Sequence, residues 1–212
     1  MENPTAIADR LAEKLISAVP YRLAVASSEA DREAVFRLRY RTVVEMGWAQ
    51  PEEFPDGMER NEDDERSVHV CAWDGDELVG ISRVVLPRKG GPLPLESEFD
   101  LALDSEELVE VGRVVILPQL RGDARHGLLV ALFAQCWLEM TARGFTDLIS
   151  AVPPRLIDLY RSFGFTVIEL GGAREHWGEE RFPVRFDVIS SAPEVERIWG
   201  AGAEKPGRVR TG

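Results

Sequence analysis

The stretch Glu110-Val111-Gly112-Arg113-Val114-Val115-Ile116-Leu117 carries the most information about how this chain folds. Its apolar, largely β-branched residues predict a strand over Val109 to Leu117, at the centre of the fold. Side chains alternate between the two faces of a regular strand, so Glu110 and Arg113, three positions apart, would lie on opposite faces. They come together only if the strand is kinked or bulged, which is a common way of directing side chains into an active site.

A turn that contains glycine follows this strand and leads into a helix. The turn reads Gln119-Leu120-Arg121-Gly122-Asp123-Ala124, and an apolar helix is predicted from Asp123 or Ala124 to Ala142. A strand, a glycine turn and a helix N-terminus together form a place for phosphate oxygens, because backbone N–H groups and the helix dipole favour an anion. Asp123 is better suited to capping the helix than to facing a phosphate.

Composition and charge exclude several classes of protein. The chain has 212 residues and a mass of 23.7 kDa, which suits one α/β domain with a substantial core. Its net charge of −12 argues against wholesale nucleic-acid binding, which needs a basic surface, although a local basic patch is compatible with it. Cys71 and Cys136 lie in apolar segments and are expected to be reduced core residues.

The N-terminal segment and the lengths of the apolar runs indicate where in the cell the protein is expected. The N-terminal segment is amphipathic but carries Asp9, Glu13 and Lys14, which is not typical of a signal peptide. No apolar run approaches the roughly 20 residues that span a bilayer. We therefore expect a cytoplasmic protein with one domain over residues 1–199 and a disordered tail over residues 200–212.

Periodicity and turn residues predict further helices and strands. The predicted helices cover residues 4–19, a segment that Ser27 or Ser28 caps and that ends near Gly47, a short segment around Phe99, and residues 154–163. The other predicted strands cover residues 21–26, 68–73, 78–86, 147–152, 165–170 and 184–189. A long loop rich in proline, glycine and acidic residues is expected over residues 49–66. The pattern predicts an α/β fold without an internal repeat.

The order of these elements resembles the GNAT acyltransferase superfamily. Gln119-x-x-Gly122-x-Ala124 matches the turn that binds the pyrophosphate of acyl-CoA in that superfamily, and the segment from Leu159 to Phe165 matches its later Tyr-x-x-x-Gly-Phe motif. The resemblance implies a GNAT-like acyltransferase fold, with a central mixed β-sheet flanked by helices. It also implies an enzyme that handles a phosphopantetheine thioester.

The front half is similar to acyl-homoserine-lactone synthases and to the related long-chain N-acyl amino acid synthases. Four motifs in the family's order carry this resemblance: Leu38-Arg39 with Gly47-Trp48, the acidic loop from Met58 to Asp64, Gly80-Ile81-Ser82-Arg83, and Glu110-Val111-Gly112-Arg113. The resemblance covers roughly residues 22 to 190.

Three positions depart from the pattern of the lactone synthases. Val43 stands where they usually carry phenylalanine, Asn61 replaces the first aspartate of the acidic loop, and Gly112 replaces a serine. The change at Asn61 removes a carboxylate that is expected near the amine substrate. Lactone synthesis from S-adenosylmethionine is therefore disfavoured.

Amide formation from a thioester needs a deprotonated amine, a polarised carbonyl and a proton for the leaving thiolate. Glu110 is the candidate general base, acting through a water. Its alternative role is structural, as an ion-pair partner of Arg113 or Arg83. These two arginines are expected to organise the acidic loop over the amine, where an error of position would be costly. The resemblance implies that Tyr160 protonates the thiolate, and the alternative is a core tyrosine with a satisfied hydroxyl.

The thioester and its carrier are expected along the central strand and the turn that follows it. Backbone N–H groups of Val115 and Leu117 are candidates for polarising the thioester carbonyl where the strand splays. The resemblance implies a pyrophosphate site with backbone donors and one added positive charge. Its candidate residues are Gln119, Arg121, Gly122, Ala124 and Arg125.

The amine pocket is expected at the acidic loop, with Arg83 among its residues. Trp48, Asp63 and Asp64 would shape it, and the alternatives are a core position for the tryptophan and a solvated acidic face for the carboxylates. Arg39 is either a pocket residue or a residue of the exposed face.

Other chemistries find no support in the sequence. The three histidines show no spacing typical of a metal site, and His69, which alternates with Val68 and Val70, is expected on the surface of its strand. No Gly-x-Ser-x-Gly elbow indicates a serine hydrolase. No activated cysteine is evident, so a direct ternary complex is favoured over an acyl-enzyme.

These observations predict an N-acyltransferase that moves an acyl group from acyl-CoA or acyl carrier protein to a primary amine such as an amino acid. An acidic carrier protein would need a basic docking patch, for which the candidates are Arg88, Lys89, Arg121 and Arg125. Three alternatives remain open. They are an acetyl-CoA-dependent GNAT N-acetyltransferase, an acyl-homoserine-lactone synthase, and a non-enzymatic domain that senses a thioester or scaffolds a partner.

Overall fold

Helices and strands alternate along residues 3–103, 105–120 and 123–200, which the computed structural model describes. In chain order they are α1 (Pro4–Ser17), β1 (Arg22–Val25), α2 (Glu29–Glu45), β2 (Ser67–Asp74), β3 (Glu77–Val85), α3 (Pro94–Phe99), β4 (Leu108–Ile116), α4 (Asp123–Thr141), β5 (Asp147–Val152), α5 (Pro154–Ser162), β6 (Thr166–Glu169), β7 (Arg174–His176), β8 (Glu179–Asp187) and α6 (Val188–Val195). The long acidic segment between α2 and β2 contains only short 3-10 turns, at Pro51–Glu53 and Glu62–Arg66.

The eight strands form a mixed sheet in the order β1-β2-β3-β4-β5-β8-β6, with β7 paired to β8. Strands β4 and β5 are parallel, and the other neighbouring pairs are antiparallel. This arrangement confirms the prediction of an α/β fold with a central mixed sheet flanked by helices.

Helices cover both faces of the sheet. One face, here called the α4 face, packs against α1, α4, α5 and α6 around the largest core cluster. The other, the α2 face, packs against α2 through Phe36 and Ile81, and against α3 through Phe99 and Val85. Strand β3 is buried along nearly its whole length because both of its faces are covered.

Helix α2 begins and ends where its sequence signals predict. The Ser28 hydroxyl accepts from the Asp31 amide at 3.1 Å and the Asp31 carboxylate accepts from the Ser28 amide at 3.1 Å, which forms a capping box. The helix ends before Gly47, whose φ of +69° few other residues adopt. The Trp48 amide then donates to the Val43 carbonyl at 2.9 Å, which fixes the tryptophan beneath the end of the helix.

The C-terminal part of the sheet differs from the prediction. The strand expected over residues 184–189 is β8, which begins at Glu179 and ends at Asp187. Asp187 accepts a hydrogen bond from the Ser190 amide at 3.0 Å and so caps α6, which takes Val188 and Ile189 out of the strand. Helix α6 and the three-residue strand β7 were not predicted. The tail predicted to be disordered lies, from residue 201 onward, outside the described residues.

Strand β4 is bulged at the point where the spacing of Glu110 and Arg113 requires it. Ile81 pairs with Val115 and Arg83 with Gly112, so β3 advances by two residues while β4 advances by three. Arg113 has a left-handed φ of +52° at this extra residue. Beyond the bulge Val115 lies on the α2 face, on the same side as Glu110. The prediction of a bulge is confirmed.

An opening separates β4 from β5 beyond the bulge. The two strands pair only from Leu108 to Glu110 on β4 and from Asp147 to Ile149 on β5, although both continue further. Parallel strands that diverge leave a gap in the sheet between them. In the described part of the chain, no helix is both long and apolar enough to cross a membrane.

Candidate active site

A cavity of about 410 Å³ passes through the opening between β4 and β5, and we call it the sheet-crossing cavity. On the α4 face its wall includes Leu129, Phe133 and Tyr160. On the α2 face its wall includes Val43 and Trp48. Side chains from both faces of one sheet line a single space because the strands diverge there.

A second cavity, of about 560 Å³, lies on the α2 face and has a polar wall. This polar cavity is lined by Glu110, by carboxylates of the acidic loop and by several cationic side chains, among them Arg83 and Arg88. Arg113 and Ala151 line both cavities. The two spaces therefore meet at the β4 bulge.

Glu110 is a buried carboxyl group on the wall of the polar cavity. Its side chain is 9% exposed and accepts a hydrogen bond from the Leu95 amide at 2.8 Å. Burial raises the pKa of the Glu110 carboxyl above its ordinary value, and the Leu95 hydrogen bond and the charges of Arg83 and Arg113 oppose this only in part. A carboxylate with a raised pKa is a stronger base for an ammonium group than an ordinary one. No described ion pair joins Glu110 to either arginine within 4 Å.

A buried ionic network holds the acidic loop against the sheet. Asp64 Oδ1 accepts from Arg39 at 2.7 Å and from Arg83 at 3.1 Å. Burial by itself would raise the pKa of Asp64, but the hydrogen bond and charge of Arg39 and the charge of Arg83 lower it to about 2. Arg83 also donates to Asn61 Oδ1 at 3.0 Å. The expectation that Arg83 organises this loop agrees with these contacts.

Glu59 extends the network to the junction of the cavities. It accepts a short hydrogen bond from Arg39 and lies 3.5 Å from the Nη2 atom of Arg113. Burial lowers the pKa of Arg113 to about 10, since Glu59 compensates only part of its lost hydration and two other arginines repel it. The Nε atom of Arg113 is buried without a hydrogen-bond partner. The Nε atom of Arg113 is thus an unsatisfied donor buried beside the junction.

Three of the residues predicted for the amine pocket do not line the polar cavity. Arg39 is 1% exposed and Asp64 3% exposed, so both lie inside the network rather than on an exposed face, and Arg39 also lines the sheet-crossing cavity. Trp48 lines the sheet-crossing cavity and not the polar cavity. Asp63, the neighbouring loop carboxylate, does line the polar cavity, where it binds Arg66 at 2.7 Å.

His69 was predicted wrongly as a surface residue. It is 3% exposed, its ring meets Phe36 edge-on, and burial lowers its pKa to about 4. Its Nε2 atom lies 3.7 Å from Asp64 Oδ1, close to the ionic network. Among the described residues no group of three or more histidine, cysteine or acidic side chains could hold a metal ion.

Tyr160 lies deep in the α4 face, on the wall of the sheet-crossing cavity. Its ring packs edge-on against Phe133 and Phe186, at centroid distances of 5.3 and 5.4 Å. Burial raises the pKa of the Tyr160 hydroxyl above its ordinary value. The phenol therefore keeps its proton at neutral pH, as a proton donor must.

The backbone donors predicted along β4 are engaged in the sheet. The Leu117 amide donates to the Val79 carbonyl at 3.0 Å. Since hydrogen-bonded pairs alternate along antiparallel strands, Val115, two residues away and opposite Ile81, also faces β3 with its amide. Neither amide points into the opening, so the prediction that they polarise a carbonyl does not fit this geometry. Val115 does line the sheet-crossing cavity.

The predicted phosphate turn is described only in part. Arg121 and Gly122 lie outside the described residues. Gln119 is exposed in a 3-10 turn over Pro118–Leu120, and Ala124 and Arg125 belong to the first turn of α4. The order of strand, turn and helix N-terminus is therefore as predicted.

Several cavity residues were not predicted from the sequence. Trp177 lines the sheet-crossing cavity, and its ring lies 4.3 Å from the Arg113 guanidinium. Arg181 lines the same cavity, with its guanidinium 5.4 Å from the Trp48 ring. The β7–β8 hairpin brings both residues here, Trp177 at its tip and Arg181 from β8. Its only sequence signal is the Gly178 of a tight turn.

Solved structures of acyl-homoserine-lactone synthases have the same fold as this chain. A CoA-dependent acyl-homoserine-lactone synthase, BjaI, with S-adenosylmethionine and isopentyl-CoA is 19% identical with a TM-score of 0.67, over 88% of this chain and 90% of that chain. Another CoA-dependent synthase, MesI, is 26% identical with a TM-score of 0.60, over 85% of this chain and 95% of that chain.

The N-acyl amino acid synthase FeeM from uncultured soil microbes is also similar in structure. It is 19% identical with a TM-score of 0.60, over 84% of this chain and 94% of that chain. No curated protein matches the chain. The family model described as N-acyl amino acid synthase FeeM matches residues 34–177, which is more than half of the chain. The chain therefore belongs to the FeeM family of N-acyl amino acid synthases and is an N-acyltransferase that forms an amide bond.

Proposed function

We propose that this enzyme transfers the acyl chain of an acyl-CoA to the α-amino group of an amino acid in a direct ternary complex. The observation that carries the proposal is the meeting of two unlike cavities at Arg113 and Ala151. A thioester carbon at that junction would face the amine in the polar cavity, beside Glu110. The acyl chain and the pantetheine arm, which are joined at that carbon, would extend along the sheet-crossing cavity.

The sheet-crossing cavity offers separate room for the pantetheine arm and for the acyl chain. The arm would lie on the α4 face, between Leu129 and Tyr160, because the predicted phosphate turn opens α4 there. The chain would lie on the α2 face, beside Val43, Met46 and Trp48. These three side chains are apolar and suit an acyl chain longer than acetyl, and the charged side chains of Arg39, Glu59 and Arg181 line the same part of the cavity. The CoA-dependent activity named for BjaI and MesI supports CoA as the donor.

Three side chains at the junction would each have a separate catalytic role. Glu110 would take a proton from the ammonium group, directly or through a water. Arg113, whose Nε atom has no partner, would stabilise the negative charge that develops on the thioester oxygen, a role that the Leu117 amide cannot fill. Tyr160 would protonate the departing thiolate. Transfer would be direct because burial raises the pKa of Cys71 and Cys136 to about 12.

Arg88 is the candidate that would bind the carboxylate of the amino acid. Arg66 and Arg83 on the polar wall bind Asp63 and Asp64, whereas no described carboxylate lies within ion-pair distance of Arg88. A free guanidinium can bind a carboxylate through two parallel hydrogen bonds. An acceptor held there would place its amino group towards Glu110.

The first experiment measures amide product and thiol release from hexanoyl-, decanoyl- and palmitoyl-CoA, each with single amino acids. S-adenosylmethionine is included among the amines, and the same acyl groups are supplied on an acyl carrier protein. We expect amide formation with CoA thioesters and an amino acid. Turnover only with carrier protein would overturn the donor assignment, and lactone formation from S-adenosylmethionine would overturn the acceptor assignment.

A second experiment tests the carboxylate site with Arg88→Ala. We expect the KM for the preferred amino acid to rise about tenfold or more, because a hydrogen bond to a charged group is lost. The KM for the corresponding amine without a carboxylate should not change. Arg37→Ala, an exposed arginine of α2 that lines neither cavity, is the matched control. Equal effects on both acceptors would show that Arg88 does not bind the carboxylate.

A further inference from the structure

The connection between β3 and α3 contains an exposed turn that presents Arg88 to the polar cavity. The Gly91 amide donates to the Arg88 carbonyl at 3.2 Å, and the two residues form an isolated antiparallel bridge. Gly90 has a φ of +67°, at the position where a type II turn favours glycine. The Arg88 side chain therefore starts from a defined backbone.

Arg66 of the acidic loop binds the backbone on both sides of this turn. Its Nη1 atom donates to the Leu86 carbonyl, before the turn, at 2.7 Å. Its Nη2 atom donates to the Pro92 carbonyl, after the turn, at 3.4 Å and to Asp63 Oδ1 at 2.7 Å. The Leu86 amide also donates to the Arg66 carbonyl at 3.2 Å. These contacts hold the two ends of the turn in place.

The Arg88 side chain lies directly over Gly91. A Cβ atom added to Gly91 would lie 2.3 Å from Arg88 Nε, 2.8 Å from Cγ and 2.9 Å from Cδ, which are its three nearest neighbours. These distances are well below the 3.5–4.0 Å or so of a favourable contact between carbon atoms. The arginine therefore cannot keep its position over any residue larger than glycine.

The need for glycine at position 91 comes from this contact and not from the backbone. The φ of Gly91 is outside the left-handed region, so alanine can adopt the same backbone conformation. The atoms that a methyl group would meet first belong to a flexible side chain, which can rotate away. An alanine at this position should therefore move Arg88 and leave the fold unchanged.

We propose that Gly91 positions Arg88 for the carboxylate of the amino acid acceptor. The inference rests on the proposed function, in which Arg88 binds that carboxylate. In the described part of the chain, three other arginines of the polar wall already pair with carboxylates of the acidic loop: Arg66, Arg83 and Arg113. The direction of the Arg88 side chain therefore determines whether this wall offers a free guanidinium, whose planar donors must face a carboxylate to bind it.

The test compares Gly91→Ala, Arg88→Ala and the double variant with the wild-type enzyme. KM and kcat are measured for the preferred amino acid and for the corresponding amine without a carboxylate. A crystal structure of Gly91→Ala locates the Arg88 guanidinium. Gly172→Ala is the matched control, because Gly172 is an exposed glycine outside both cavities, without a left-handed φ, and an added Cβ there has no atom within 4 Å.

We expect Gly91→Ala to raise the KM for the amino acid about threefold or more, because a hydrogen bond to a charged group is weakened. The KM for the amine and the melting temperature should not change. In the double variant the KM for the amino acid should equal that of Arg88→Ala, since alanine at position 88 has none of the three atoms that the methyl group meets. Dependence on Arg88 distinguishes positioning from a general effect on the fold.

An unchanged KM for the amino acid in Gly91→Ala would overturn the inference, and so would an effect that persists in full when residue 88 is already alanine. A change confined to the KM of the thioester would also overturn it, because the turn would then act on the donor. Absence of amide product in the wild-type enzyme with every thioester is a failure of the proposed function. The crystal structure still tests the positioning in that case, and an undisplaced Arg88 guanidinium in Gly91→Ala would contradict it.

Discussion

Arg39 and Arg83 bind the same oxygen atom, Oδ1 of Asp64, at 2.7 and 3.1 Å. One comes from α2 and the other from β3, so a single carboxylate of the acidic loop joins a helix to the sheet. All three side chains are almost fully buried. The polar cavity and the bulge of β4 depend on this joint for their relative positions.

Asp64→Ala should be strongly destabilising. It leaves two buried guanidinium groups without their shared partner, for which the typical cost is about 3–5 kcal/mol. Chemical denaturation measures the loss directly. Asp63→Ala is the control, because Asp63 forms only a partly exposed pair with Arg66, which is worth about 0–1 kcal/mol. Similar losses in the two variants would contradict the structural role assigned to Asp64.

The same carboxylate predicts how stability depends on pH. The pKa of Asp64 is lowered in the folded protein to about 2, from an ordinary value of 3.8. A lowered pKa gives stability that is present above the unfolded value and is lost as pH falls through the folded value. We expect the Asp64 contribution to be constant from neutral pH down to pH 4 and to disappear between about pH 4 and pH 2. Comparing acid denaturation of the wild type with that of Asp64→Asn checks this window.

Glu110→Gln should lower kcat by about two to four orders of magnitude, the usual contribution of a general base. The fold should not suffer, because the amide oxygen can still accept from Leu95. The folded pKa of Glu110 is raised, so its ionisation at neutral pH costs stability, and the glutamine variant should be at least as stable as the wild type. Steady-state kinetics and thermal melting of both proteins test the two expectations together.

The pH profile of the wild-type enzyme provides an independent check on Glu110. The acidic limb of kcat/KM should fall at a pH above that of an ordinary glutamate, because the base must be ionised. If Glu110→Gln is unstable at neutral pH but fully active, the role of Glu110 is structural, through its hydrogen bond with the Leu95 amide.

Tyr160→Phe should reduce kcat by about a hundredfold without loss of stability, at the lower end of the range for an acid catalyst. The ring remains packed against Phe133 and Phe186, so only the proton donor is removed. Single-turnover measurement of thiol release isolates the step concerned. Normal release in the variant would make Tyr160 a residue of the core alone.

Thiol reagents should leave the native enzyme active at neutral pH. Cys71 and Cys136 are fully buried, and burial raises the pKa of each to about 12, so almost no thiolate is present. Mass spectrometry after treatment with iodoacetamide should show no alkylation without denaturant. An acylated cysteine trapped during turnover would contradict direct transfer.

The bulge of β4 could be predicted because its evidence is local. The spacing of Glu110 and Arg113 conflicts with the alternation of a strand, and an extra residue is the simplest way to resolve that conflict. The acidic loop and its arginines came from the resemblance to known synthases, which named Arg83 and Asp64. The resemblance also named Arg39 of α2, but its contact with Asp64 follows from packing, which the sequence does not contain.

His69 shows where alternation fails as a guide. Its neighbours Val68 and Val70 predicted a strand with one solvated face, but helices cover both faces of β2. Trp177 was missed for a different reason. Strand β7 has only three residues, too few for a periodic signal, and the contact between Trp177 and Arg113 joins positions far apart in the sequence.

The backbone amides of β4 were predicted to face the opening because a splayed strand was expected to leave them free. The pairing of Leu117 with Val79 shows that β3 follows β4 past the bulge, so the opening exists only on the side of β5. Which edge of a strand loses its neighbour depends on the order of strands in the sheet. That order is a property of the whole chain.

The extra residue in β4 has a consequence for comparing this enzyme with its relatives. Glu110 and Arg113 both line the polar cavity because β4 contains one more residue than β3 across the bulge. The number of residues between them therefore matters more than the kinds of residue. Removing Val114 would restore regular alternation and turn the guanidinium of Arg113 away from Glu110 without altering either functional side chain. An aligned relative that keeps both residues but changes their spacing would therefore be expected to have lost the activity that the two residues share.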